Sequence, residues 1–157
     1  MSGEDRHTAT MHDDGIPAAT PRLLRRLQDA GRDETPEEVM AAVTGDTVDA
    51  DVAFDEELVT CSLDELLLSL VALRDDGTHG TGLIDDLGAL FGVEPSPGTV
   101  YPRLHSLEAD GLLSRHELVR TKQHAIDDRA TACERVESAM HQHLALGLFL
   151  AAALETV

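Results

Sequence analysis

No stretch of this 157-residue chain reaches the roughly 18 to 20 unbroken apolar residues needed to cross a bilayer. The longest apolar run, Leu144 to Leu154 (LALGLFLAAAL), is too short. The first residues, MSGEDRHTATMHDDG, lack the basic flank and apolar core of a signal peptide. The expectation is a soluble, cytoplasmic protein. Cysteine is scarce: Cys61 and Cys133 make neither a disulfide framework nor a zinc motif. In a cytoplasmic protein both are expected to be buried as small apolar residues, with a redox-sensing pair as the lesser alternative. A nucleophile–base constellation, a Gly-rich phosphate loop and a metal triad are all missing, so no enzyme and no cofactor are expected. His141 and His143 lack a carboxylate or thiolate at a ligand's spacing, and no metal is expected there.

Lysine is the scarcest of the charged residues. Lys122 is the only one among 12 basic residues, which face 30 acidic ones for a formal net charge of -18. Such an acid-rich, lysine-poor pattern resembles that of proteins from salt-accumulating halophilic archaea. Carboxylates hold hydration and counterions, and at about 1 M salt the Debye length of about 3 Å screens their mutual repulsion. An acidic total in such a setting says little about partners. An ordinary acidic protein is the alternative.

What is present is enough apolar content, 42%, for one compact domain with appendages. Residues 1–19 are polar without apolar period and are expected to form a disordered tail. Pro21 to Ala30 reads as a helix with Thr20 as cap, and Pro36 to Val43 as another with Thr35 as cap and Gly45 as stop. Thr47 to Thr60 suggests a short strand or an extended arm. From Ser62 the chain becomes regular. Ser62-Leu-Asp-Glu65 spells a capping box, and Leu63, Leu66, Leu67, Leu70, Val71 and Leu73 recur at helical spacing before Gly77. A second helix fits Gly80 to Phe91. A third starts with Ser96 as cap and Pro97 at its first position, has Val100, Tyr101, Leu104 and Leu107 inward, and ends at Gly111. Leu112 to Arg120 and Gln123 to Ile126 read as a hairpin joined by Thr121-Lys122. A last helix spans about Arg129 to Glu155.

Three helices, a hairpin and a helix make the winged helix-turn-helix arrangement, in which the third helix reads a groove and the hairpin is the wing. The fold class is therefore mainly α with a small β-hairpin (α+β). The expected divisions are a tail (1–19), an N-terminal helical extension (20–61), a winged-helix DNA-binding domain (62–128) and a C-terminal dimerisation helix (129–157).

Gly77-Thr-His-Gly80 and the run SPGTVYPRLHSLEADGLL from Ser96 to Leu113 carry a family resemblance. They resemble the signature of PadR-like transcriptional regulators, over roughly residues 62 to 128. The resemblance implies a homodimeric, sequence-specific binder of double-stranded DNA acting as a repressor, in some members released by a small apolar effector. The sequence departs from the family where Thr81-Gly82 replace the aromatic residue expected after His79-Gly80. It departs again where His124 and Asp127-Asp128 occupy the end of the wing.

The candidate DNA-binding residues are Ser96, Gly98, Thr99, Tyr101, Arg103, Arg115, Arg120 and Lys122. Pro97-Gly98-Thr99 would offer free N–H groups and the positive end of a helix dipole to phosphate, and Arg103 one turn on could reach a guanine edge or a phosphate. Tyr101 has two readings, a hydroxyl toward DNA or burial against the second helix. Pro102 costs one bond, to the Gly98 carbonyl, near the first turn. From Pro97 to His124 four basic residues face three acidic ones, a net of +1 that leaves -19 for the rest. Arg22, Arg25, Arg26 and Arg32 form a second basic group, read as a solvated helix face in preference to an arm. Val136, Met140, His143, Leu144, Leu148 and Phe149 are the candidate dimerisation residues, on a helix whose end is too apolar for a monomer's surface. A winged-helix module for protein–protein contact is the alternative function.

Overall fold

Caps fix where most helices of the computed structural model begin. It describes residues 34–47, 52–74, 77–154 and 156. Helix α1 (Pro36–Thr47) opens on a reciprocal pair: the Glu38 amide donates to the Thr35 hydroxyl at 3.3 Å, and the Thr35 amide donates to the Glu38 carboxylate at 2.8 Å. The expected stop at Gly45 does not occur, and α1 runs two residues past it. A glycine costs only about 1 kcal/mol inside a helix, so it ends one only where the chain must turn. The expected tail and the Pro21 to Ala30 helix lie outside the described residues.

The stretch expected as strand or arm contains a helix, α2 (Glu56–Cys61). Asp55 caps it by accepting the amides of Glu57 at 2.9 Å and Leu58 at 3.3 Å. Helix α2 runs almost directly into α3 (Leu63–Ala72), with Ser62 as the one residue between. That continuity undoes the expected capping box. Ser62 has ψ near 14°, not the extended value of an N-cap, and its side chain caps nothing. Its hydroxyl meets His143 Nε2 at 3.0 Å instead, and Glu65 is taken by Arg135. Gly77, with φ of 73°, turns the chain after α3.

A two-residue strand, β1 (Thr78–His79), leads into α4 (Gly80–Phe91); α5 (Pro97–Ala109) follows. Strands β2 (Leu113–Glu117) and β3 (Lys122–Ile126) complete an antiparallel sheet in the order β1-β3-β2, with Leu113 opposite Ile126 and Glu117 opposite Lys122. The register corrects the expected hairpin. Lys122 belongs to β3, and the connection is Leu118 to Thr121, closed by the Leu118 amide donating to the Thr121 carbonyl at 2.8 Å. Val119 at its tip is fully exposed.

Helices α3, α4 and α5 enclose the core. Leu63, Leu67 and Leu68 from α3, Leu83 and Leu87 from α4, and Val100, Leu104 and Leu107 from α5 are fully buried. Each such side chain contributes about 1.5–3 kcal/mol of apolar burial. Val59 of α2 joins the same core, and α1 packs on α4. Phe54 stacks edge-on against Phe91 with ring centroids 5.1 Å apart. Arg74 ties these parts together, with Nη2 at 2.6 Å from Asp86 of α4 and 3.0 Å from Glu37 of α1.

The last helix, α6 (Arg129–Leu154), starts where the Thr131 amide and hydroxyl donate to Asp128, which holds that carboxyl below its ordinary range. Its first half packs on α3 through buried Ala132 and half-buried Val136. Its second half exposes Leu146, Phe149, Leu150 and Leu154. Both cysteines are exposed, not buried as expected. Cys61 sits on the outer side of α2, and Cys133 is the residue after Ala132, so the turn that buries one exposes the other.

Candidate nucleic-acid interface

The start of α5 is open to solvent. Ser96 has the extended backbone of an N-cap, but its hydroxyl pairs with the Thr99 hydroxyl at 3.1 Å and caps no amide. The Thr99 and Val100 amides donate to the Ser96 carbonyl at 2.9 and 3.1 Å. Pro97 and Gly98 are exposed, so the Gly98 amide has the solvent in front of it. Pro102 lies inside α5 on the exposed side, where the Gly98 carbonyl that it leaves unpaired can bind water. Arg103, His105 and Ser106 share the exposed surface of α5.

Tyr101 turns the other way. It is half-buried, and a Cβ added at Gly80 would lie 2.6 Å from the tyrosine ring. Only glycine fits there, which gives the His79-Gly80 pair a packing reason. His79 caps α4, its Nδ1 accepting the Gly82 amide at 2.9 Å and lying 3.0 Å from the Thr81 hydroxyl. A Cβ at Gly82 would come within 3.0 Å of the His79 ring, so the Thr81-Gly82 departure belongs to this cap.

A groove of about 560 Å³ runs between the start of α4, α5 and the hairpin, lined by His79, Tyr101, His105, Arg115, Lys122 and His124 among others. Tyr101, Arg115 and Lys122 are thus brought together. Arg120 stands at the hairpin tip without an ion-pair partner among the described residues. Arg103 lies outside the groove and points back to α3, with Nη1 3.4 Å from Asp64 Oδ1. Carboxylates attend the other two cations as well: Glu108 is 3.7 Å from Arg115 and Glu117 is 3.9 Å from Lys122. Exposed pairs of this kind are worth about 0–1 kcal/mol, so they yield readily to a stronger partner.

The sequence reading placed His124 at the end of the wing without giving it a buried role, and it is the one buried polar side chain among the described residues. Strand alternation from Lys122 through His124 to Ile126 is the signal that points to it. Its Nδ1 lies 3.1 Å from Glu108 Oε1, misaligned for a hydrogen bond, so both atoms lack a hydrogen-bond partner. Burial holds the imidazole below its ordinary pKa of 6.5, opposed by the Glu108 charge and assisted by Arg115.

Of the candidate dimerisation residues, Val136 packs on its own chain's core and His143 bonds its own Ser62. Met140, Leu148 and Phe149 are exposed, and Leu144 is half-buried.

Three helices on a shared core, with the third exposed beside a hairpin, define a winged helix-turn-helix. Residues 67–127 match the model of the family described as "Transcriptional regulator PadR-like family". The chain is 42% identical over 94 residues to the transcriptional activator GvpE of Haloferax mediterranei, a match covering 60% of this chain and 48% of that one. It is 38% identical over 99 residues to the transcriptional activator GvpE1 of Halobacterium salinarum, covering 63% and 51%. The chain thus spans about half the length of these curated relatives. The X-ray structure of a PadR-like transcription factor, 18% identical, aligns with a TM-score of 0.46 over 58% of this chain and 92% of that one.

Proposed function

We propose that this chain is a sequence-specific, double-stranded-DNA-binding transcriptional regulator that acts as a homodimer in the cytoplasm, with α5 in the major groove. The observation that carries the reading is the match of residues 67–127 to the PadR-like family model. Within that segment α5 leaves Gly98, Arg103 and Ser106 exposed, and the hairpin carries Arg115, Arg120 and Lys122. Ser96, Gly98 and Thr99 would position a phosphate at the start of α5. Arg103 would reach a base edge, and the hairpin cations would meet the backbone. Tyr101, turned onto Gly80, would hold α5 in place more than it touches DNA.

The partner subunit would cover the second half of α6. Met140, Leu144, Leu148 and Phe149 would pack there with Leu146, Leu150 and Leu154, an apolar surface that a monomer does not leave in water. The two haloarchaeal relatives are named activators, whereas the family resemblance implies repression. A promoter–reporter fusion assayed with and without the protein reads the sign directly.

The decisive experiment selects duplexes from a random-sequence library with the full chain and measures their binding across about 0.5 to 3 M potassium chloride. Sequence enrichment with a shallow salt dependence supports the reading. No enrichment sinks it. The alternative, a module for protein contact, draws on the carboxylate beside each of Arg103, Arg115 and Lys122. It predicts that Arg103→Ala leaves every DNA measurement unchanged.

A further inference from the structure

Asp64 of α3 sits between two arginines from two other helices. Arg135 of α6 places Nη2 at 2.7 Å from Asp64 Oδ2, with its Nε 3.1 Å from Glu65. Arg103 of α5 brings Nη1 to 3.4 Å from Asp64 Oδ1. The carboxylate is mostly covered, at 15% side-chain exposure, whereas the Arg103 side chain is 49% exposed. Arg103 is the only arginine or lysine in α5. The single cation of the exposed helix is therefore held, on one terminal nitrogen, by an acid of the helix behind it.

A free guanidinium on a DNA-facing helix is attracted to any phosphate, whatever the sequence. A carboxylate beside it cancels most of that long-range attraction. It leaves the remaining donors of the planar fork in a fixed direction, as a bidentate contact to guanine O6 and N7 requires. Asp64 is suited to this role because Arg135 fixes it from the far side, so the carboxylate cannot swing out with Arg103. The weaker contact is the one on the exposed side, and it can lengthen or part when a base edge competes.

We propose that Asp64 is a positioning residue that restrains Arg103, lowering the affinity for mixed-sequence DNA and raising discrimination between sequences. The proposal rests on the reading of α5 as the DNA-contacting helix. It is tested with the full chain on two probes, a duplex enriched from a random library by the wild type and a mixed-sequence duplex of equal length. D64N is expected to strengthen mixed-sequence binding about threefold to tenfold and to cut discrimination by about tenfold. In an R103A background D64N is expected to change neither, since the restrained group is gone. D110N alters the net charge equally at the exposed end of α5 and is expected to keep wild-type discrimination, whereas R135Q loosens Asp64 but leaves its charge beside Arg103 and is expected to lose discrimination only in part.

If D64N acts equally with and without Arg103, or if D110N matches it, Asp64 works only through net charge and the inference is overturned. A loss of discrimination in R135Q equal to that in D64N would assign the effect to the seating of α6, and overturns it too. If the wild type binds no duplex, the DNA reading falls and the inference falls with it. Binding with a null D64N effect removes the inference alone.

Discussion

The winged unit and the second half of α6 treat their leucines in opposite ways. In α3, α4 and α5 most leucines are buried against one another, and Leu66 and Leu90 pack half-buried against that core. In α6 from Leu144 onward apolar residues occur on every side, and Leu146, Phe149, Leu150 and Leu154 remain exposed. The first region closes its core within one chain. The second leaves its apolar residues uncovered by the other described residues, and under the proposed dimer its contribution to stability would depend on concentration.

The largest effect expected from that contrast is Leu104→Ala, which should cost about 2–5 kcal/mol in urea unfolding because the site is fully enclosed. A loss below about 1 kcal/mol would mean that α5 is not seated as described. Phe149→Asp should leave the winged unit folded by circular dichroism and convert the proposed dimer to monomer in light scattering at high salt. A dimer that survives Phe149→Asp with Leu150→Asp would place the contact elsewhere. Arg103→Ala should cost about 1–3 kcal/mol of binding to the enriched duplex, whereas Lys122→Ala should weaken all duplexes alike and lower the salt slope by about one.

A smaller effect concerns pH. The buried His124 resists taking the proton that the unfolded chain takes below 6.5, so stability should fall as pH drops through that value. The fall should level off once the folded-state imidazole also becomes protonated. His124→Leu should flatten the curve in thermal melts; an unchanged slope would assign it to other groups. The smallest effect is Ser62→Ala, expected within about 0.5 kcal/mol of wild type because its hydroxyl caps no amide. A loss of about 1 kcal/mol or more would restore the capping box that the sequence suggests.

Much of the fold was legible because its signals are local. Pro97 at the first position of α5, Gly111 beyond its end with φ of 76°, and the span of α4 from Gly80 to Phe91 agree with the sequence reading. Two of the misses come from contacts between distant residues. Strand β1 is two residues long and exists only because β3 pairs with it, Thr78 opposite His124. Ser62 has the sequence of a cap, but α2 arrives in line with α3 and His143 takes the hydroxyl from 81 residues away. The tip Leu118-Val119 looks like strand because both are apolar, and it is the closing bond to Thr121 that turns them outward.

The candidate site divides along the same line. The residue types around α5 and the hairpin could be listed from the SPGTVYPRL run and its neighbours. That Tyr101 lies on Gly80, that Arg115 and Lys122 share a groove with it, and that Arg103 leans on Asp64 could not.

By itself the sequence determined the starts of α1, α4 and α5, the succession of winged-unit helices and hairpin, the PadR-like signature and the net positive charge of the α5–hairpin segment, since each is set by neighbours within a few turns. Only the tertiary structure decided which cation is free and which is restrained. Asp64 and Arg103 are 39 residues apart, and a charge pair acts through distance in space, which the packing of α3, α5 and α6 alone sets.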